Sequence, residues 1–300
     1  MQKLSCIGTV VAIVLGIVAV PAWADDLCPN PAKRAAAKAQ LGQAQALQGS
    51  GKLREAHGMA EKIDLDCAPG ETEQVKKSLA KAIAAEAEQK GQFTDALDWY
   101  ERAGDTGAAG RVIIRMVQSK PDDIPTVSRA IDFFHSHDDK TQEQTMRALA
   151  LKNVDNALAA EEKSVSTPLK GSLADLRLAQ SWTYYAQAGQ DKVRARATLR
   201  GDTLAKEDSR SSLKKAMDYY GTSEIKDGIA NVKAKATTLA KQAEAKGELD
   251  AAAEYYQIAG EGAKANAVHK QAEASQAKTE DARKKTFQKD QGDLEKALGF

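Results

Sequence analysis

The side chains best suited to metal chemistry form the cluster His135-Ser136-His137-Asp138-Asp139. Imidazole nitrogens and carboxylate oxygens are ligands for zinc and copper in proteins. Zinc sites on helices favour two histidines four residues apart on one face, whereas these two are only two residues apart. A polar helix end explains the same residues, because cations there complement the helix dipole. We favour the helix end, and keep a metal protein or enzyme using His135 and His137 as an alternative hypothesis.

A second candidate, Gly49-Ser50-Gly51-Lys52, has the composition of a phosphate-binding loop. The Walker pattern requires glycine where Ala46 stands, serine or threonine where Leu53 stands, and a preceding β-strand. This region has a helical pattern instead, so we predict a turn between helices. The sequence contains no serine-centred elbow, no His-Glu-x-x-His and no Cys-x-x-Cys motif. Its acids alternate with lysines as on solvated helix faces, and we predict no catalytic residue, metal site, cofactor or buried acid.

The first 24 residues have the pattern of a secretory signal peptide. Lys3 precedes an apolar or small run from Cys6 to Val20, and small residues before Ala24 form a cleavage arrangement. The apolar run is short for a membrane span, which needs about 20 residues. We therefore predict cleavage after Ala24, export to the periplasm or beyond the cell, and no membrane span in the mature chain.

The charge balance excludes partners that are recognised by charge alone. Lysine and arginine total 43 and aspartate and glutamate total 42, with the two signs mixed along the chain. A near-neutral chain of this kind gives no electrostatic attraction for nucleic acid or an anionic membrane. We expect a protein or peptide partner, whose identity the composition leaves open, as it does the oligomeric state.

Cys28 and Cys67 are the two cysteines that follow the leader, and an exported protein meets an oxidising compartment. The pattern predicts one helix from about Pro31 to Leu47 and a second from Leu53 to Ile63. The cysteines lie nearly symmetrically about the turn between these helices. An antiparallel hairpin would bring them together at its open end, so we predict a disulfide bond.

Five pairs of adjacent aromatic residues follow along the chain, with spacings of 34, 51, 35 and 36 residues. A period near 35 indicates an array of helix-turn-helix units that cannot each bury an apolar face alone. The pairs are Trp99-Tyr100, Phe133-Phe134, Tyr184-Tyr185, Tyr219-Tyr220 and Tyr255-Tyr256. We predict an all-α fold, an α-solenoid of repeats of about 35 residues.

The segments 91–104 and 247–260 share one helical apolar face between flanking glycines. Gly91, Phe93, Ala96, Tyr100 and Ala103 resemble the second half of a tetratricopeptide repeat. The continuation through Ala108 is similar to the Sel1-like variant, and segment 247–260 matches equally well. The resemblance implies a right-handed α-solenoid that binds proteins or peptides on its inner surface.

The predicted organisation has six parts. They are a signal peptide (1–24), a disulfide-stapled helical hairpin (25–70), tetratricopeptide or Sel1-like repeats (71–138), a helical insertion and loop (139–171), further repeats (172–275) and a charged C-terminal helix or tail (276–300). Within the insertion we predict a helix from Thr141 to Leu158 and a loop from Glu161 to Gly171.

The aromatic pairs also supply the candidates for ligand contact. The second member of each pair falls on the apolar face, so we predict that it packs in the core. The first member is rotated by about 100° around the helix, where it could meet a ligand. The candidates are Trp99, Tyr184, Tyr219 and Tyr255.

The sequence therefore predicts an exported, non-catalytic repeat scaffold that binds an unidentified protein or peptide in the cell envelope. Two alternatives stay open. One is the helical metal protein or enzyme described above, and the other is a structural component associated with the cell wall.

Overall fold

Helices dominate the computed structural model, which describes residue 28, residues 30–164 and residues 172–298. Across these ranges the chain forms thirteen α-helices, one short 3₁₀ turn and no β-strand, which confirms the predicted all-α fold. The helices are α1 (Pro31–Gly49), α2 (Leu53–Ala60), α3 (Pro69–Gln89), α4 (Phe93–Ala103), α5 (Thr106–Ser119), α6 (Ile124–Ser136), α7 (Lys140–Ser164), α8 (Ser172–Trp182), α9 (Gln190–Ala205), α10 (Arg210–Thr222), α11 (Lys226–Ala245), α12 (Leu249–Ala259) and α13 (Gly262–Leu298), and the 3₁₀ turn is Gln187–Gly189.

Polar caps set the start of several helices. The Asn30 side chain accepts hydrogen bonds from two backbone N–H groups at the start of α1, and Asp123 and Ser209 each accept one at α6 and α10. Such caps satisfy donors that have no partner inside a helix. Pro31 and Pro125 occupy the first helical turn, where a missing N–H costs nothing.

The chain divides after Ser119 into two compact units. In the first unit, α1 to α5 each pack on the next helix, and α1 also contacts α3. Its core contains the fully buried Leu79, Ile83, Leu97 and Ile113, with buried alanines at the helix seams. Small side chains at these seams allow close approach of neighbouring helices.

The second unit contains α6 to α13. Consecutive helices pack together from α6 to α13, and α9 contacts α11 while α10 contacts α12. Its core includes the fully buried Ile131, Val154, Leu176, Trp182 and Leu213. The division lies within segment 71–138, which the sequence assigned to a single run of repeats.

One turn geometry recurs at seven helix ends in the part of the chain that the structure describes. A residue with φ between 51° and 79° donates its N–H to the carbonyl three residues earlier. The next residue donates to the carbonyl five residues before it, at 2.9–3.0 Å, as in a Schellman motif. The left-handed residues are Gly51, Gly91, Gly104, Asp138, Glu224, Gly247 and Gly260.

This turn accounts for four of the five aromatic pairs. In each of the four, the second aromatic lies four residues before the left-handed residue, so it occupies the last turn of its helix. Tyr100, Phe134, Tyr220 and Tyr256 are all buried, with 3–7% of their surface exposed. The aromatic spacing therefore follows the position of the turn.

The fifth pair, Tyr184-Tyr185, does not share this arrangement. Helix α8 ends at Trp182, and the 3₁₀ turn follows before α9. Gly189, four residues after Tyr185, has φ −83° and lies outside the left-handed region. Trp182 takes the core position at 1% exposure, while Tyr184 is 77% exposed.

The predicted disulfide is present. Cys28 and Cys67 are bonded, with their Cα atoms 4.8 Å apart, and both are buried. The bond joins Cys28, two residues before the Asn30 cap of α1, to the segment before α3. The predicted hairpin is also present, although α2 ends at Ala60, three residues earlier than the sequence indicated.

Helix α7 is longer than predicted, because Glu161 to Ser164 are helical rather than part of a loop. The rest of that predicted loop, residues 165–171, lies outside the described residues, as does the predicted leader with its cleavage site after Ala24. The predicted C-terminal helix lies within α13, where every described side chain from Glu273 to Asp290 is exposed. Among the described helices, none combines the length and apolarity needed to cross a membrane.

Candidate functional site

The histidine cluster lies at the turn between α6 and α7, where its members have separate structural contacts. His135 Nδ1 lies 3.2 Å from Glu143 Oε2, and His137 Nδ1 lies 2.8 Å from the Phe133 carbonyl. Asp138 is the left-handed residue of the turn, and Asp139 accepts the Gln142 N–H at the start of α7. In the described residues, no group of three or more His, Cys, Asp or Glu side chains is placed to hold a metal ion.

The carboxylate of Glu143 is the charged centre of this turn. Arg147, one helical turn later, donates to it at 2.8 Å, and His135 contacts its other oxygen. Arg147 first and His135 second hold the pKa of Glu143 below its usual value. The arrangement neutralises charge at the start of α7 and leaves the two imidazoles directed at different partners.

Trp99, the first ligand-contact candidate, is half-buried between α2 and α4. The guanidinium carbons of Arg102 and Arg54 lie 4.8 Å and 5.5 Å from its ring centre, and the His57 ring meets it edge-on at 4.8 Å. Its indole N–H donates to Asp95 Oδ1 at 3.1 Å. Burial lowers the pKa of His57, which favours the neutral form of this ring. The cations and the edge-on ring are contacts that stabilise helix packing.

The three tyrosine candidates have different environments. Tyr219 is buried at 5% exposure, so a ligand has little access to it. Tyr255 is half-buried and donates its hydroxyl hydrogen to the Asp208 carbonyl at 2.7 Å, which ties α12 to the segment before α10. Tyr184 is the most open of the three, and its ring lies edge-on to Tyr185 with centres 5.0 Å apart.

The second unit has a concave surface that the sequence did not indicate. A cavity of about 760 Å³ opens between the end of α8, the start of α9 and the turn from α10 to α11. A second cavity of about 330 Å³ adjoins it, because Gln180, Gly221 and Thr222 line both. We refer to the two cavities together as the α8–α11 groove. Its volume is in the range of small-molecule and peptide sites.

The walls of the groove are mainly polar, with one apolar part. Gln180 and Gln190 bring side-chain amides from α8 and α9, and Ser223 Oγ lies 3.4 Å from Gln180 Oε1. Half-buried Met217 and Ile225 supply apolar surface. Amides that donate and accept hydrogen bonds beside apolar surface suit the groups of a peptide chain.

Six charged side chains also line the groove. Arg177, Arg194 and Lys226 are cationic, and Asp218, Glu224 and Asp227 are anionic. Four of the six lie in the turn from α10 to α11 or in the helix ends beside it, the other two lie on α8 and α9, and all six are exposed. Within the described residues, none of the six forms an ion pair with another side chain.

At the seam between α7 and α9, by contrast, charged side chains form ion pairs. There Lys192 pairs with Asp155 at 2.8 Å. Glu161, with 0% of its side chain exposed, is bound by Arg196 at 3.2 Å and Arg200 at 2.9 Å. The sequence had marked no acid as buried, and this prediction was wrong. Two arginines four residues apart on one helix face were the available signal, but their partner lies 35 and 39 residues earlier in the chain.

Glu224 has an unusual backbone for its residue type. Its φ of 51° lies in the left-handed region, where five of the seven equivalent turn residues in the described chain are glycine. A side chain in this region costs about 1–2 kcal/mol, and such residues concentrate at functional sites. The turn therefore places a carboxylate at the groove where a glycine would cost less.

Comparison of the whole chain with protein-family models, curated proteins and solved structures gave no match.

Proposed function

We propose that this protein is an exported, non-catalytic helical scaffold that binds a segment of a partner protein or a peptide in the α8–α11 groove. The groove carries the proposal. It combines unpaired charged groups, amides and apolar surface on one concave face of the second unit. Such a lining binds through many moderate contacts and contains no arrangement of nucleophile and base.

The recurrence of the helix pairs supports a scaffold. The α3–α4 and α11–α12 pairs share the same turn, the same length of second helix and the same buried tyrosine, at positions 156 residues apart. We propose that the helix pairs within each unit stack as in an α-solenoid, in the manner of the tetratricopeptide or Sel1-like repeats that the sequence resembles. Stacked repeats bind partners through extended surfaces rather than deep pockets.

An envelope location is part of the proposal. The leader pattern ending at Ala24 favours export, and the Cys28–Cys67 disulfide is compatible with an oxidising compartment. We propose a periplasmic location, and full secretion from the cell is the alternative. Sequencing of the mature N-terminus from cell fractions tests this, with Asp25 as the expected first residue. A mature chain that begins at Met1 in the cytoplasm would contradict it.

Photo-crosslinking in intact cells tests the binding function. A benzophenone side chain at Gln190 places the reactive group in the groove, and the same group at Lys38 on α1 is the control. We expect a discrete protein or peptide adduct from position 190, identified by mass spectrometry, and none from position 38. The adduct should weaken when Arg194 is changed to glutamate. Equal adducts from both positions, or none from either, would argue against a groove ligand.

A further inference from the structure

His57 is a titratable side chain in the contact between α2 and α4, inside the first unit. It lies on α2 with 7% of its surface exposed, and its ring meets the ring of Trp99 on α4 edge-on, with the ring centres 4.8 Å apart. Histidine has an ordinary pKa of about 6.5, so it gains its charge between about pH 8 and pH 5. A buried histidine between two helices can therefore change the charge of their contact when the pH falls.

The surroundings of the His57 ring disfavour a positive charge on it. Burial acts most strongly, because an imidazolium in this contact would lose much of its hydration. Arg102 and Lys76 also repel a protonated ring, and these effects hold the pKa of His57 below its ordinary value. Glu61 attracts the protonated ring, with Oε1 3.7 Å from Nδ1, but 56% of the Glu61 side chain is exposed, so water weakens the attraction.

Charged side chains face the contact from each of the three helices around it. They are Arg54 and Glu61 on α2, Lys76 on α3, and Asp95 and Arg102 on α4. Arg54 and Arg102 already lie against the Trp99 ring, and Arg54 pairs with Asp95 across the contact. A protonated His57 would therefore be a third cation at one indole ring.

The α1–α2 hairpin has further attachments that acid leaves intact. Its buried Ala56 and Ala60 belong to a core that includes Leu79 of α3, and the Cys28–Cys67 disulfide fixes its open end. These attachments are apolar or covalent, and a proton does not change them. Loss of the α2–α4 contact would therefore open the first unit locally and leave its helices folded.

We propose that His57 is the proton sensor of an acid-sensitive joint, which covers Trp99 at neutral pH and uncovers it when acid separates α2 from α4. The closed joint favours the neutral ring, so its stability is complete above the ordinary histidine pKa of about 6.5 and is lost as the pH falls through the lowered pKa. One proton changes the closing equilibrium by at most about tenfold per pH unit. This inference is independent of the α8–α11 groove.

Tryptophan fluorescence of the full chain from about pH 8 to about pH 5 tests the joint. This range ends above the ordinary pKa values of carboxylates. As the pH falls, the emission maximum should move reversibly to longer wavelength and acrylamide quenching should increase, because Trp99 meets water. The change should be absent from Trp99→Phe, which retains the buried Trp182. No change in the unmodified chain would overturn the inference, and a simultaneous loss of helical circular dichroism would contradict a local joint.

Histidine variants assign the change to one ring. His57→Gln keeps a polar side chain that gains no charge, so its emission should stay constant over the same pH range. The control His269→Gln changes an exposed histidine of α13 and should titrate as the unmodified chain does. Equal pH dependence in His57→Gln and the unmodified chain would overturn the inference.

Two further variants test the joint without altering the buried ring. Lys76→Gln removes a charge that repels the protonated His57, so the midpoint of the change should move to higher pH. Glu61→Gln removes a charge that attracts it, so the midpoint should move to lower pH. A histidine with only a packing role would give no such opposite shifts. Equal midpoints in both variants and the unmodified chain would contradict the proposal, even where His57→Gln fails to fold.

Discussion

The α3–α4 and α11–α12 helix pairs, 156 residues apart, pack in the same way. In both pairs, the buried tyrosine of the second helix donates its hydroxyl to a glutamate of the first helix, twelve residues earlier. Tyr100 donates to Glu88 at 3.1 Å and Tyr256 donates to Glu244 at 2.5 Å. The turn, the ring and its acceptor therefore recur together as one structural unit.

The differences between the pairs lie at their surfaces. Glu88 also binds Arg115 of α5 at 2.6 Å, and no such contact to Glu244 is found in the second unit as described. Position 81 in α3 is a lysine that pairs with Asp105, whereas the equivalent position 237 in α11 is a threonine that donates to Glu261. Buried groups and turn geometry are retained between the copies, while exposed partners change because they contribute little to stability.

The α1–α2 hairpin adds a third case. It has the same turn at Gly51, but Ala60 stands where the other two pairs have their tyrosine. This hairpin carries the Cys28–Cys67 disulfide instead. A covalent link thus holds the hairpin that lacks the aromatic anchor.

Removal of the disulfide should lower stability more than any other change below. It tests whether the disulfide replaces the tyrosine anchor in the α1–α2 hairpin. Cys28→Ala combined with Cys67→Ala opens a loop whose ends are 39 residues apart. The chain-entropy model predicts a loss of about 4 kcal/mol in the free energy of unfolding of the first unit. Urea unfolding followed by circular dichroism measures it. A loss below about 1 kcal/mol would mean that the hairpin has another anchor.

Packing around Tyr220 should give the next largest effect. A Cβ added to Gly201 would lie 2.3 Å from Tyr220 Cε1, and one added to Gly228 would lie 2.6 Å from the same ring. Gly201→Ala or Gly228→Ala should therefore destabilise the second unit by about 3 kcal/mol through overpacking. Gly221→Ala is the control, because no atom lies within 4 Å of its added Cβ. Equal melting temperatures for all three variants would contradict this packing.

Substitutions at the left-handed residues of the recurring turn should have intermediate effects on stability. Replacing glycine should destabilise the fold, and introducing glycine should stabilise it. Gly91→Ala and Gly247→Ala place a side chain at φ 71° and 76°, and each should lower the free energy of unfolding by about 1–2 kcal/mol. Glu224→Gly removes that cost at a left-handed residue and should stabilise the second unit by up to about 1 kcal/mol. Thermal unfolding measures all three. Stabilisation by Gly91→Ala would show that the turn tolerates side chains.

The tyrosine–glutamate pairs should give the smallest effect, visible at alkaline pH. The hydrogen bond to Glu244, aided by burial, raises the pKa of Tyr256 to about 12. The fold therefore favours the protonated phenol, so its contribution is complete below pH 10 and is lost as the pH rises from 10 to 12. Melting temperatures across this range should fall less steeply in Tyr256→Phe. The substitution itself should cost about 1 kcal/mol at pH 7. Equal alkaline slopes would contradict the raised pKa.

Local pattern was sufficient for part of the fold. The apolar spacing and glycines of 91–104 and 247–260 predicted helices that the structure confirms, and the symmetric cysteines predicted the disulfide. Glu161 was missed because its burial depends on Arg196 and Arg200 of a different helix. The α8–α11 groove was missed for the same reason, since its walls come from three segments separated in sequence.

The sequence by itself determined the all-α fold and the place of most helices, because backbone preferences and apolar periodicity act over fewer than ten residues. It did not fix every helix end, since α2 and α7 end at other residues than the pattern indicated. Only the tertiary structure decided which first members of the aromatic pairs are buried, which acid is paired and which charges remain free. Tyr219 and Tyr184 both begin an aromatic pair, yet one is buried and the other exposed, since neighbouring helices cover only the first. Burial and ion pairing depend on distances between segments that are far apart in the chain, and these distances exist only after the helices have packed.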